Sequence, residues 1–233
     1  LLLFLSISLF KSQEYFDRDN YAIFLDAKTN DIKIIENDSI IYTNGFKNPQ
    51  KLIKTFYPEK ICIYQYDFII HHKNYFVNNG GGAVLEYSDN QLKRIDQSFL
   101  HKNQYNASYF AYKNEMYLFG GYGLFTDKNI ITHYDFNSKE WFLVPYNSIE
   151  RPIAGSDYEN IVINDDLYVF GGGHQNEIGI GTSYNKPNLL WKFNFIDKKW
   201  ETLGNVQLKY IPSTHHYGIN NFIIGDKMYI IDA

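Results

Sequence analysis

The sequence predicts an all-β protein made of repeated four-stranded antiparallel units, and three observations predict it. The first is composition: aromatic residues make up 18% of the 233-residue chain, with 21 Tyr and 18 Phe but only 2 Met. Tyr, Phe, Ile and Val suit pleated, half-buried surfaces. The second is a strand–turn–strand pattern found in four segments: YDFIIHHKNYFVNN, SYFAYKNEMYLFGG, ENIVINDDLYVFGG and NNFIIGDKMYIIDA. Each joins two apolar runs across a short polar turn, the mark of a β-hairpin. The third is agreement in register between Asn114–Trp141 and Asn164–Trp200. Each holds a polar turn, an apolar strand, a Gly–Gly pair, a loop, a second strand, a six-residue turn and a Trp. No stretch of ten or more residues sustains a helical period.

The chain opens LLLFLSISLF, without a Met. Ten apolar or small residues are too few to cross a bilayer but suit the apolar region of a signal peptide. Cleavage is expected between Ser12 and Gln13, leaving residues 13–233 as one domain; the alternative is an ordinary buried strand. Tyr21–Ile35 reads as two strands joined by a polar turn. Asp26 stands six residues before Ile32, as Asp135 stands six before Trp141, so this stretch is expected to be the outer half of a unit. The segment Asp38–Lys60 is the least regular; SIIYTNG and KLIKTFYP each suit a strand, with Pro49 and Pro58 at their margins.

From Tyr64 the repeats are regular. Their anchoring tyrosines, Tyr75, Tyr117, Tyr168 and Tyr229, stand 42, 51 and 61 positions apart. Every hairpin but the last is followed by a second: AVLEYSDNQLKRID, NIITHYDFNSKEWFLV and LLWKFNFIDKKWETL. Four strands per unit follow, with about three full units, a leading half and a trailing half. The last hairpin stops at Ala233, so the chain reads as part of a longer protein.

Gly120–Gly121 and Gly171–Gly172 end the second strand of a unit, where glycine allows positive φ and close approach of a neighbour. Tyr134 with Trp141, and Phe193 with Trp200, are expected to pack between adjacent units. In the shorter Tyr87–Ile95 segment, Leu92 takes the Trp position.

This set of residues resembles the kelch repeat over Tyr64–Ala233, with a weaker echo at Tyr21–Ile35. The resemblance implies a kelch-type β-propeller with four-stranded antiparallel blades. It also implies a fold used mostly to bind proteins or glycans and occasionally to carry an enzyme site. Such a fold does not select a function by itself.

Strand direction alternates within a blade. The loops between strands 2 and 3 therefore leave on the same face as the connections between blades, while the 1–2 and 3–4 turns leave on the other. Length variation gathers in the first set, as in Gly172–Asn188 and Gly204–Tyr217, so a binding site is expected on that face. Its candidates are Tyr122, Phe125, Arg151, His174, Gln175, Glu177, Tyr184, His215 and His216. Arg151, before Pro152, also suits a structural bond to a loop carbonyl. Adjacent His215 and His216 point in different directions in an extended chain. With His174 they lack the HxH or HExxH spacing of a metal site, and no metal or cofactor is expected. His71–His72 fall on the opposite face, in a solvated turn.

The net charge is −4 and no Lys/Arg run interrupts it, which argues against nucleic acid as a main partner. The single cysteine, Cys62, permits no internal disulfide and reads as a buried structural thiol. Export with one cysteine fits a bacterial periplasm or cell surface. The expected function is thus an exported, non-catalytic binding or sensing module for a protein or glycan. The alternative is a propeller enzyme of carbohydrate metabolism resembling the sialic-acid mutarotases. It needs an acid–base pair in the central channel, and Arg151 with Glu177 is the pair on offer. Copper oxidases resembling galactose oxidase need a Tyr–Cys pair, a second Tyr and two His, a set that cannot be assigned around Cys62.

Overall fold

The computed structural model describes residues 21–36, 39–44, 48–54, 65–78, 82–89, 91–97, 104–173, 189–205, 221–224 and 227–230. The first sheet contains β1 (Tyr21–Leu25), β2 (Ile32–Glu36), β3 (Ser39–Asn44) and β4 (Asn48–Lys54), in that order. The second contains β5 (Gln65–Ile70), β6 (Lys73–Asn78), β7 (Val84–Ser88) and β8 (Gln91–Arg94). The third runs β9 (Ser108–Tyr112), β10 (Glu115–Phe119), β13 (Ile131–Asp135), β14 (Glu140–Leu143). Between β10 and β13 the chain makes a separate hairpin, β11 (Tyr122–Gly123) and β12 (Thr126–Asp127). The fourth sheet contains β15 (Ser156–Ile163), β16 (Asp166–Gly173), β17 (Leu189–Asn194) and β18 (Lys199–Asn205). A last hairpin pairs β19 (Asn221–Ile224) with β20 (Lys227–Ile230). All these pairings are antiparallel, and no sheet closes on itself among the described residues.

Local chemistry explains the turns. Asp26 accepts hydrogen bonds from the N–H groups of Lys28 and Thr29, and Asp135 from those of Asn137 and Ser138. Asn194 does the same for Ile196 and Asp197. A short polar side chain thus mimics a backbone turn at the same place in three hairpins. The expectation that Asp26 marks the same turn as Asp135 holds at atomic detail.

One sequence expectation changes. The Tyr21–Ile35 hairpin is no isolated half unit; it runs on into β3 and β4 and completes a sheet of its own. Glu36 pairs with Ser39 directly, and closing so short a loop costs less entropy than pairing with a distant strand. Gly171–Gly173 end β16, and the eight-residue β15 extends its pairing to them. Their expected close approach stands: a Cβ at Gly172 (φ +80°) would meet the Tyr158 ring at 2.6 Å.

The sheets stack face to face. Phe24 of the first sheet meets Phe76 and Tyr87 of the second edge-on, at 5.0 and 5.1 Å between ring centroids. Phe68, Tyr75 and Val77 of the second pack against Met116, Leu118, Tyr134 and Trp141 of the third. Phe110, Tyr117 and Phe119 of the third pack against Leu167, Val169, Phe193 and Trp200 of the fourth. The pairs Tyr87–Leu92, Tyr134–Trp141 and Phe193–Trp200 occupy equivalent registers, so Leu92 does take the Trp position.

The leading strands of successive sheets converge. Ser108 Oγ donates to the Tyr158 carbonyl, and Asn160 Nδ2 donates to the Tyr109 carbonyl at 3.3 Å. The Tyr109 hydroxyl donates to Asp67 at 3.3 Å. Sheets that meet along their first strands are compatible with a propeller-like arrangement. No helix long and apolar enough to cross a membrane occurs among the described residues. Residues 1–12, Cys62 and Asp232–Ala233, which carried the signal-peptide, thiol and final-repeat expectations, lie outside the described residues.

Candidate functional site

Three loop segments assemble beyond the ends of the third and fourth sheets: 104–107, 120–130 and 144–157. They are held by their own main chain. Tyr105 and Tyr122 exchange two backbone hydrogen bonds, both 2.8 Å. Gly121 N donates to Gly155 O at 2.8 Å, and Gly155 N donates to Lys128 O at 2.9 Å. Asn129 Nδ2 donates to Pro152 O at 3.1 Å, and Asp157 N to Asn106 O at 2.8 Å. The strand 2–3 loop of one sheet and the connection to the next therefore share one face, as strand alternation requires.

Glycine is needed where these segments touch. Gly121 has φ +91°, and a Cβ there would lie 2.9–3.0 Å from the Gln104 backbone. Gln104 is buried below it, donating to Gly120 O at 2.9 Å and accepting from Thr132 Oγ1 at 2.8 Å. The Tyr158 hydroxyl donates to Ile153 O, and burial together with the charge of Asp127 raises that phenol well above its ordinary range. Burial likewise lowers the Lys128 ammonium. A platform bonded from beneath in this way keeps its shape while its upper side meets solvent.

Of the predicted site residues, Tyr122 and Phe125 lie together in the β11–β12 hairpin, Tyr122 half-buried and Phe125 exposed. Arg151 lies in the adjoining connection. Its guanidinium donates to the Tyr146 hydroxyl at 2.8 Å and sits 5.4 Å from the centre of that ring, so the partner is a side chain and not a loop carbonyl. His174, Gln175, Glu177, Tyr184, His215 and His216 lie outside the described residues. His71 and His72 form an exposed turn at the opposite end of the second sheet, as expected.

Sequence reasoning missed Tyr105, Leu124 and Ile153, all exposed on this face. The stretch YGLFTD carries no turn signal, since Leu–Phe is not among the residue pairs that mark a two-residue hairpin. Nothing in the sequence marks Tyr105, because it lies beyond the end of β9 and pairs with Tyr122 as an isolated bridge in the β9–β10 register.

A second polar group lies where the leading strands converge. Asp67 is solvent-accessible but crowded, and desolvation raises its carboxyl above the ordinary range. The adjacent Tyr109 phenol is also raised, by burial first and then by Asp67. This carboxyl–phenol pair offers a hydrogen-bonding station where the leading strands of the second and third sheets meet. No family model matches this chain, and no curated protein matches it either.

Proposed function

We propose that this chain is an exported, non-catalytic binding or sensing module of the kelch-propeller type, recognising a protein or glycan through its loop face. One observation carries the reading: long segments from two sheets and their connections are bonded into a single platform that exposes aromatic and apolar side chains. Rigid scaffolds carrying such loops are where binding sites concentrate. The repeated four-stranded sheets and the Trp positions support the kelch assignment, and the opening apolar run supports export. A glycan array probed with the full chain, alongside a screen of exported proteins, tests it. Binding that is lost in Arg151→Ala or Phe125→Ala supports the loop face. No binding, combined with turnover of a sialic-acid anomer, sinks the reading.

A second reading, an epimerase of carbohydrate metabolism, draws on Asp67 and Tyr109, where the leading strands of the second and third sheets meet. A carboxyl raised by desolvation and hydrogen-bonded to a phenol is a candidate for proton exchange with a bound sugar. Anomer exchange abolished in Asp67→Asn while loop-face variants remain active supports this alternative. Unchanged exchange in Asp67→Asn removes it.

A further inference from the structure

The tip of the β11–β12 hairpin departs from what folding alone favours. Gly123 pairs with Thr126, so Leu124 and Phe125 form a two-residue turn, with φ +54° and +64°. Turns with both central residues left-handed favour Asn and Gly, and a bulky side chain there is an outlier. Two other turns among the described residues have the same pair of positive angles, His71–His72 and Lys113–Asn114. Both are polar, and His and Asn tolerate this conformation. Leu124–Phe125 is bulky and apolar at both positions. Burial does not compensate: Leu124 is 61% exposed and Phe125 96%. Strained backbone and exposed apolar surface oppose folding at the same two residues, which is the pattern of a functional site.

The base of this hairpin is fixed. Tyr122 is bonded on one side to Tyr105, and Gly121 and Lys128 on the other to Gly155. A fixed base with an apolar tip is a preformed anchor. Tyr105 and Ile153, exposed on the segments bonded to the base, add apolar surface beside it.

We propose that Leu124–Phe125 inserts into an apolar pocket on a protein partner. This rests on the loop-face reading above and narrows it to one ligand class. A sugar needs an open ring face flanked by hydrogen-bonding groups, whereas the tip pairs Phe125 with an aliphatic Leu124. An anionic bilayer needs basic residues around an inserted aromatic, whereas the net charge here is −4 and Asp127 closes the hairpin. A protein pocket fits: interface energy concentrates in a few aromatic anchors, and an anchor held in its bound shape loses little entropy on binding.

The test has two parts and uses the full chain. Leu124→Asn with Phe125→Gly installs residues this turn favours, so the melting temperature is expected to rise; a fall would assign the tip a structural role and overturn the proposal. For the partner, a benzophenone amino acid at position 125, at 105 or, as a control on the opposite face, at 113 traps contacts among exported proteins. The trapped protein is purified and its affinity measured. Phe125→Ala is expected to weaken it by about thirtyfold or more, the loss of one interface hot spot. Equal affinity for wild type and Phe125→Ala overturns the anchor. Trapping at 105 but not 125 overturns the anchor and leaves the loop-face reading standing; trapping at neither overturns the anchor and removes the protein arm of that reading, while a glycan array without binding removes the rest. Loss of binding to phosphatidylcholine–phosphatidylserine vesicles in Phe125→Ala, with no protein trapped, assigns the tip to a membrane instead.

Discussion

The interface between the second and third sheets and that between the third and fourth follow one plan but differ in one bond. In the former, the Trp141 indole N–H donates to Gly82 O at 2.8 Å. In the latter, the Trp200 indole N–H is buried with no partner among the described residues. Both tryptophans occupy the same register beside the same strand pair. The difference comes from the loop of the preceding sheet. Before Trp141, Gly82 N donates back to Asn78 O at 3.2 Å and Gly82 O faces the interface. Before Trp200, Gln104 Nε2 reaches Gly120 O and Lys128 N reaches Gly121 O, both at 2.9 Å, so these carbonyls serve the loop that builds the β11–β12 hairpin.

The neighbouring tyrosine position repeats this lesson. Lys33 donates to the Tyr87 hydroxyl at 2.5 Å across the first interface. The equivalent Tyr134 hydroxyl is buried without a partner among the described residues, and the third equivalent, Phe193, has no hydroxyl. Desolvation accordingly raises the Tyr134 phenol well above its usual range.

Substitutions break this comparison in order of size. Trp141→Ala empties a buried site and is expected to cost about 3–5 kcal/mol in denaturant unfolding. Next, Trp141→Phe and Trp200→Phe remove similar volume, but only the first leaves Gly82 O unpaired. It should therefore cost about 1–3 kcal/mol more than the second, the penalty of a buried acceptor left without its donor. Equal losses would show that the indole bond contributes nothing.

Acid sharpens the contrast with the first interface, which is ionic. Burial pushes the Asp26 carboxyl up, but its bonds from Lys33 and from the N–H groups of Lys28 and Thr29 outweigh that and hold it below its ordinary value. A carboxyl depressed on folding stabilises the fold above its unfolded pKa. That contribution is lost as pH falls below about 4. Asp26→Asn should flatten the acid limb of a stability–pH curve, while Trp200→Phe should leave its shape unchanged. The smallest effect is expected at Tyr134→Phe: removing an unpartnered buried hydroxyl should change stability by less than about 0.5 kcal/mol or raise it slightly. A loss above about 1 kcal/mol in thermal or denaturant unfolding would assign that hydroxyl a partner.

Much of this was legible in the residues. The turn chemistry of Asp26, Asp135 and Asn194 acts over three or four positions, so it shows in a linear reading. Strand alternation put Tyr134, Trp141, Phe193 and Trp200 between sheets, and it put the 120–130 loop and the 144–157 connection on one face. The site was legible only in part. Phe125 was marked by its place in a variable loop, whereas Leu124 passed as ordinary because the backbone angles that make it unusual cannot be seen in a string of letters. Tyr105 was hidden for another reason: it pairs with Tyr122 as an isolated bridge that continues the β9–β10 register three positions beyond Ser108.

The sequence by itself determined the repeat unit, its turns, the Trp positions and the face to which variation is confined. These depend on side-chain alternation and on hydrogen bonds a few residues long. The tertiary structure alone decided that β1–β4 complete a sheet, that YGLFTD folds into its own hairpin, and that Gly121, Lys128 and Gly155 join two loops. It also decided which tryptophan finds a carbonyl. Each of those outcomes turns on which of several competing acceptors lies within reach once the sheets have packed, and that competition is settled by distance and not by residue type.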